Sequence, residues 1–277
     1  MRRRELLTMA AGAGPALATG AAVAAPGTSI GFALGSGALH GWTHVGIVRG
    51  CARLGLKPQA IAGSSAGAVV GALWAAGLDA QEIAAIALRL DWQHAPGALS
   101  ALLGARRRND ALRDEVDRAV GGRRIGELPV RFAAAASDAL TGDSVVLDSG
   151  PVGLAVEASC AVPVRNEPVP IGNRQLFDGG LTAPVPVALA RRLGAQRVVA
   201  VDVAYRPYEE VPTSASDYAF QAMHIVTNAL AREQTRQADH LIKLDVHHLM
   251  RRRLDVDALI EAGEAALLAL APKLQPR

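Results

Sequence analysis

The chain has 277 residues, of which half are hydrophobic and only 4% aromatic, and its formal net charge is +3. This length and composition suit one large domain with a core of small aliphatic side chains. The only cysteines are Cys51 and Cys160, and neither has a partner at metal-ligand spacing. Neither a zinc site nor a disulfide scaffold is therefore indicated.

The first 27 residues differ from the rest of the chain. Three arginines, Arg2 to Arg4, precede a stretch of small residues that has no charge after Glu5. This pattern is typical of an export signal and resembles a twin-arginine signal. We expect residues 1–27 to be an export signal or leader and the protein to be periplasmic or secreted. A membrane-anchored or cytoplasmic protein is the alternative, and export would permit a bridge between the two cysteines.

Removing the leader takes away three arginines and one glutamate, so the formal charge falls from +3 to +1. This leaves no electrostatic basis for nucleic-acid binding, and we expect no nucleic-acid partner. Basic clusters remain at 106–108, 123–124 and 251–253. They indicate solvated surface, with a peripheral membrane contact as the alternative.

After the leader, short apolar runs alternate with helical stretches. Strands are predicted at 29–34, 59–63, 130–139, 143–150, 175–177, 197–203 and 240–246. Helices are predicted at 43–55, 66–76, 110–120, 152–161, 185–193, 219–238 and 257–270, with another starting at a capping box of Asp79 and Glu82. The rest of 96–129 is predicted to be a surface excursion. The alternation indicates an α/β fold whose mostly parallel sheet has helices on both faces.

The segment Gly63-Ser64-Ser65-Ala66-Gly67 lies between a predicted strand and a predicted helix. Glycines on both sides of a serine permit a cramped turn that presents the hydroxyl at the positive end of the helix. Ser65 is therefore a candidate nucleophile. A small residue in a glycine-rich turn is the alternative, because this chain is rich in glycine.

Two further glycine turns follow predicted strands. In Gly35-Ser36-Gly37-Ala38, backbone amides can converge on a developing oxyanion. A dinucleotide-binding loop is the alternative there, but His40 takes the place of the third glycine and no acidic residue ends the next strand. The other turn, Asp178-Gly179-Gly180, by itself indicates only a structural turn.

Taken in order, these segments resemble the patatin-like phospholipase family, above all its compact bacterial members related to the hydrolase domain of neuropathy target esterases. The resemblance extends from Ile30 to about Leu270. It rests on ALGSGALHGWTHVGIV, GSSAGAVVGAL, ASCAVPV, LFDGGLTAPVPVALARRLGA and VVAVDV. It implies that residues 28–277 form a patatin-like acyl hydrolase domain with three α/β/α layers and a mostly parallel central sheet.

The resemblance also implies roles for individual residues. Ser65 would be the nucleophile and Asp178 the base that acts on it directly, as a Ser-Asp dyad without metal or cofactor. The implied oxyanion hole is formed by Gly35, Ser36, Gly37 and Ala38. The implied motif glycines are Gly63, Gly67, Gly179 and Gly180. A Ser-Asp-His triad is the alternative, and it would recruit His224, His240, His247 or His248.

The implied activity is lipase, phospholipase A-like or carboxylesterase cleavage of acyl esters of lipids or related substrates. A catalytically silent lipid-binding or regulatory protein of the same fold is the alternative. Two departures from the family pattern bear on the substrate: His40 replaces a frequent Arg or Lys, and a polar segment, 164–168, replaces an apolar one. We expect a preference for short or polar acyl esters. We also expect His40, whose ordinary pKa is about 6.5, to hold an anionic headgroup less firmly than an arginine would at neutral pH.

Overall fold

The computed structural model describes residues 29–90, 110–203, 211–250 and 254–274. The predicted leader and residues 96–109 of the predicted surface excursion lie outside the described residues. The strands are β1 Ile30–Leu34, β2 Ala60–Ser64, β3 Arg131–Asp138, β4 Ser144–Leu147, β5 Val169–Ile171, β6 Arg174–Asp178, β7 Arg197–Asp202 and β8 His240–Lys243. The helices are α1 Trp42–Arg53, α2 Ala66–Ala75, α3 Ala80–Arg89, α4 Asp110–Ala119, α5 Val152–Ser159, α6 Val187–Arg192, α7 Ala215–Thr235 and α8 Val256–Leu274.

The eight described strands form one mixed sheet in the order β5-β6-β3-β2-β1-β7-β8, with β4 also paired to β3. Five neighbouring strands of this sheet, β3, β2, β1, β7 and β8, are parallel to one another. The remaining three pair antiparallel. The predicted mostly parallel α/β sheet is confirmed.

Side chains alternate between the two faces of the central strands, as the pleat requires. In β1, Phe32 and Leu34 point into one apolar cluster, whereas Ala33 points into the other. The first cluster also includes side chains of α1, α2, α3, α5 and α8; the second includes those of α6 and Ala231 of α7. Helices therefore cover both faces, and the layer on the alanine-lined face packs close to the sheet.

The long strand β3 brings two other strands together end to end. β4 and β6 both pair with Ala136 and Ser137, so they must occupy opposite edges of β3. β2 lies on the edge opposite β4, because both pair with Ala134 and Ala135. Consequently β2 and β6 share one edge, and their carboxyl ends meet there. Residue 65 follows one of these ends and Asp178 forms the other.

The described helices include none that is both long and apolar enough to cross a lipid bilayer. The capping box predicted at the start of α3 is confirmed, since Asp79 accepts from the amides of Gln81 and Glu82 while Glu82 accepts from the Asp79 amide. β5 was not predicted. It is a three-residue edge strand with a central proline, and such a strand gives almost no sequence signal.

Candidate active site

Ser65 lies on a sharp turn between β2 and α2. Its backbone has φ 52° and ψ −120°, a conformation that non-glycine residues rarely adopt and that costs roughly 1–3 kcal/mol. The start of α2 packs tightly against β1, because a Cβ atom on Gly67 would lie only 2.1 Å from the carbonyl oxygen of Leu34. The turn therefore places the Ser65 side chain at the amino-terminal end of α2, where the helix dipole is positive.

Asp178 ends β6 and caps the short 3-10 helix Gly179–Leu181. Its Oδ1 accepts a hydrogen bond from the Gly180 amide at 2.7 Å, and the residue is 6% exposed. Burial raises the pKa of Asp178 to about 6, against the opposing effects of hydrogen bonds from the Ser65 hydroxyl and the Gly180 amide. A carboxyl of this pKa is ionised at neutral pH and more basic than an exposed one.

The contact between Ser65 and Asp178 is looser than a fully formed hydrogen bond. The serine hydroxyl is near enough to lower the carboxyl pKa, yet Oδ2 has no partner with regular hydrogen-bond geometry among the described residues. Catalytic hydrogen bonds are often long or poorly aligned until substrate binds. The arrangement thus offers a base in direct reach of a candidate nucleophile.

Three of the four histidines weighed for a triad lie next to other groups, and the fourth, His248, is exposed. His240 Nε2 contacts an Arg197 nitrogen at 2.6 Å, and the His247 ring packs edge-on against His40 with centroids 6.0 Å apart. His224 is half-buried and lies near the positive charge of Arg165, and both its partial burial and that charge lower its pKa. No histidine is among the described groups that shift the pKa of Asp178. This geometry favours the dyad.

The first glycine turn lies beside the dyad but offers fewer free amides than predicted. The Gly35 amide donates to the Val201 carbonyl at 3.0 Å, and the Ser36 amide donates to the Pro184 carbonyl at 2.8 Å. These two amides are already used by the sheet and its neighbouring loop. Within the described residues, the amides of Gly37 and Ala38 have no such acceptor. Of the four residues predicted for an oxyanion hole, Gly37 and Ala38 are thus the two whose amides have no backbone acceptor among the described residues.

The other motif glycines lie in tightly packed places, where a side chain would meet neighbouring atoms. A Cβ atom on Gly179 would come within 2.3 Å of the Ala135 carbonyl oxygen, and one on Gly63 within 2.4 Å of that of Gly67. A Cβ atom on Gly180 would lie 2.9 Å from Ser36 Oγ. The aspartate turn and the first glycine turn are therefore in contact, as a shared active site requires.

His40 departs from its sequence-based expectation. The residue is 1% exposed, its Nδ1 lies 3.1 Å from the Val203 carbonyl oxygen, and burial lowers its pKa to about 4. The ring is therefore neutral at neutral pH and faces inward. The expectation that His40 titrates near its ordinary pKa against a lipid headgroup is wrong, because the ring is desolvated.

Helix α5 ends next to both candidate catalytic residues. The hydroxyl of Ser159 accepts a hydrogen bond from the Ser65 amide at 3.0 Å, and the Ala161 carbonyl accepts one from the Asp178 amide at 2.9 Å. Between them, Cys160 has a thiol whose pKa burial and the Asp178 charge raise well above its usual value. The sequence carries no signal for a role of Ser159 beyond the place of this residue in the ASCAVPV segment.

The polar segment that follows is tied to α7. Val164 has a positive φ of 74°, and the exposed guanidinium of Arg165 lies 4.7 Å from the ring centroid of Phe220. The polar segment 164–168 begins three residues after Ala161, whose carbonyl binds the Asp178 amide, so the segment connects α7 to the loop that holds Asp178.

Cys51 and Cys160 are both free thiols. Among the described residues, no group of three or more His, Cys, Asp or Glu side chains is placed to hold a metal ion.

Residues 32–191, more than half of the chain and including both Ser65 and Asp178, match the sequence profile of patatin-like phospholipases. The chain belongs to the patatin-like phospholipase family. The expectation from the sequence is thus confirmed, and membership supports lipid hydrolysis as a general class of activity.

Relatives of this patatin-like protein include members of the neuropathy target esterase group. An uncharacterized NTE family protein of Mycobacterium tuberculosis is 36% identical over 179 residues, covering 63% of this chain and 49% of the relative. A patatin-like phospholipase domain-containing protein of Caenorhabditis elegans is 27% identical over 190 residues, covering 64% and 14%. The chain thus spans about half the length of the first relative and much less of the second.

Among solved structures, VipD of Legionella pneumophila superposes with a TM-score of 0.52 at 12% sequence identity. The superposition covers 89% of this chain and 67% of VipD. At this low identity the likeness concerns the fold alone, and it agrees with the three-layer architecture.

Proposed function

We propose that this patatin-like protein is a carboxylic ester hydrolase that uses Ser65 and Asp178 as a catalytic dyad. The observation that carries the proposal is the buried Asp178 carboxyl, with its pKa raised to about 6, beside a serine on a strained strand-to-helix turn. Strongly perturbed titratable groups next to a candidate nucleophile are typical of catalytic sites. The register of β3 supports this, because it brings the ends of β2 and β6 together.

In the proposed reaction, Ser65 Oγ attacks the acyl carbon while Asp178 accepts the hydroxyl proton. The amides of Gly37 and Ala38 donate to the oxyanion, each worth about 3 kcal/mol in the transition state. The intermediate then collapses, and Asp178 returns the proton to the departing alcohol or lysolipid. Asp178 next takes a proton from water, which attacks the acyl-enzyme, and the carboxylic acid leaves as Ser65 regains its proton. The steps use no metal or organic cofactor.

We extend the proposal to an acyl-ester substrate with a short or polar acyl group. Arg165 and Glu167 are exposed in the segment that follows Ala161, and desolvating charged groups against a long acyl chain costs free energy.

A peripheral membrane contact is proposed through α7. Its residues 219–230 carry no Asp, Glu, Lys or Arg, and Ile225 and Val226 are exposed. Export by the leader also remains a proposal, supported by the composition of residues 1–27.

The test is turnover of a series of nitrophenyl esters and one phosphatidylcholine by purified protein, with Ser65→Ala as the matched inactive variant. We expect hydrolysis by wild type and loss of at least about a thousandfold in Ser65→Ala. A folded wild-type protein that binds these esters without turnover would instead support the catalytically silent alternative.

A further inference from the structure

Three consecutive residues hold the backbones of both proposed catalytic residues. We call Ser159, Cys160 and Ala161 the bridging segment. Its first residue binds the Ser65 amide through a side chain, and its last binds the Asp178 amide through a carbonyl. A single short segment therefore fixes the separation between two residues that come from different strands.

Ser65 depends on such support more than an ordinary helix-capping residue does. Its φ and ψ values lie outside the regions that non-glycine residues favour, and no side chain caps α2 at this position. Strained conformations persist only where surrounding contacts hold them. The hydrogen bond to Ser159 Oγ fixes the peptide plane between residues 64 and 65, and so constrains the direction in which the Ser65 side chain leaves the turn.

The Ser159 side chain belongs to a helix that is anchored to the neighbouring helix α4. The residue is fully buried at the last position of α5. That helix is anchored in its first turn by Asp117, which accepts from the Gly153 amide at 2.8 Å. Near its end, the buried carboxylate of Glu157 lies 3.5 Å from the Arg113 guanidinium of α4. The acceptor for the Ser65 amide thus belongs to a helix fixed at both ends.

We propose that Ser159 is a positioning residue of the catalytic serine, acting through the Ser65 backbone without touching substrate. The inference rests on the proposed ester hydrolysis at Ser65. Positions held to within a fraction of an ångström matter because a misplacement of about 1 Å can cost a hundredfold in rate. Removing the hydroxyl is expected to leave substrate binding intact while the attack geometry degrades.

The experiment compares Ser159→Ala with Ser159→Thr, which retains a hydroxyl, and with Ser64→Ala. Ser64 is an equally buried serine one residue from the nucleophile, and its hydroxyl has no hydrogen-bond partner among the described residues. Each variant is measured for kcat and KM on a short nitrophenyl ester, for Tm, and for hydrogen exchange of the Ser65 amide by NMR.

We expect Ser159→Ala to lower kcat by about ten- to a hundredfold with KM near the wild-type value. Its Ser65 amide should exchange faster, whereas Ser159→Thr should recover much of the rate and Ser64→Ala should behave like wild type. Wild-type kcat and wild-type amide exchange in Ser159→Ala would overturn the inference. Equal losses of kcat in Ser159→Ala and Ser64→Ala would overturn it too, since a general packing defect would explain both.

Should Ser159→Ala fail to fold, Ser159→Cys serves in its place, because sulfur is a weaker acceptor on a side chain of similar shape. An unchanged kcat in that variant would overturn the inference. A wild-type protein that hydrolyses no ester would overturn the proposed function itself, and with it the positioning role of Ser159. An active wild type with a fully active Ser159→Ala would overturn only the role of Ser159.

Discussion

His44 Nε2 donates a hydrogen bond to the carbonyl oxygen of Gly35 at 2.8 Å. Because a carbonyl only accepts, the proton of the neutral ring must be on Nε2. Burial lowers the pKa of His44 to about 4, so this tautomer persists at neutral pH. The hydrogen bond from His44 therefore holds the carbonyl of Gly35, the first residue of the glycine turn. It leaves the amides of Gly37 and Ala38 available for an oxyanion.

Gly37→Ala tests the proposed oxyanion hole. A Cβ atom on Gly37 would lie 2.7 Å from both the carbonyl oxygen and Cγ2 of Val203, so the turn must shift. Since each oxyanion donor is worth about 3 kcal/mol, we expect kcat to fall about a hundredfold with a smaller change in KM. Steady-state kinetics on a short ester measures this.

Gly126→Ala is the matched control for that variant. A Cβ atom on Gly126 would meet no atom within 4 Å, and its backbone does not have a positive φ. We expect its kinetics to equal those of wild type. If Gly37→Ala also kept wild-type kcat, the turn would have no part in the reaction.

The dyad predicts strong non-additivity between its two members. Ser65→Ala and Asp178→Asn should each lower kcat by at least about a thousandfold, and the double variant should lose little more, because residues that act as one unit are non-additive. Alanine variants at His224, His240, His247 and His248 should retain most activity. A folded histidine variant as inactive as Ser65→Ala would replace the dyad with a triad.

The raised pKa of Asp178 predicts that the site destabilises the fold at neutral pH. Between the ordinary value of 3.8 and about 6, the folded state holds a proton that the unfolded state has lost, so stability falls as pH rises through this window. Asp178→Asn should therefore raise the free energy of unfolding at pH 7 by up to about 3 kcal/mol, and by little near pH 4. Urea denaturation at several pH values measures the difference.

Asp138→Asn is a control in which the change in the free energy of unfolding at pH 7 should have the opposite sign. Hydrogen bonds from the Leu140 and Thr141 amides, together with the Arg174 charge, lower the pKa of Asp138. Its ionised form therefore stabilises the folded state at neutral pH, and that contribution is lost as pH falls through the lowered pKa. We expect Asp138→Asn to be less stable than wild type at pH 7. A destabilised Asp178→Asn at that pH would contradict the raised pKa.

Chain-length preference tests the polar segment after the bridging segment. In the wild type, log(kcat/KM) should flatten or fall as the acyl chain of nitrophenyl esters lengthens, because Arg165 is exposed there and stacks on Phe220. Making residues 165–167 apolar should restore a gain, with each newly buried methylene worth roughly 0.8 kcal/mol. Arg165→Lys, which keeps the charge, is the control.

Efficiency that rises steadily to long chains in the wild type, with no gain in the apolar variant, would contradict the proposed preference. In that case Arg165 would serve only to attach the segment to α7, as its contact with the Phe220 ring indicates.

The sequence predicted the three glycine turns and most central strands because these signals are local. Glycines flank Ser65 and follow Asp178, and apolar runs lie between them. The meeting of β2 and β6 on one edge of β3 could not be predicted, since it depends on a register between distant strands. The contact of Ser159 with Ser65, on which its proposed role rests, was missed for the same reason: the hydrogen bond joins residues 94 positions apart.

The oxyanion turn illustrates a second limit. Glycine spacing located the turn, but which amides are free depends on carbonyls of Pro184 and Val201, far along the chain. The pKa of His40 likewise depends on burial against Val203, which its sequence position does not reveal.

The most direct test of the central claim is to locate the covalent adduct formed by a fluorophosphonate ester. Wild-type protein, Ser65→Ala and Asp178→Asn are each treated with the reagent, and the modified residue is found by peptide mass spectrometry. We predict one adduct on Ser65 in the wild type, none in Ser65→Ala and a greatly slowed reaction in Asp178→Asn, because the base that activates the hydroxyl is missing. Ester hydrolysis that persists in Ser65→Ala, or an adduct on another serine of an active wild type, would contradict the account.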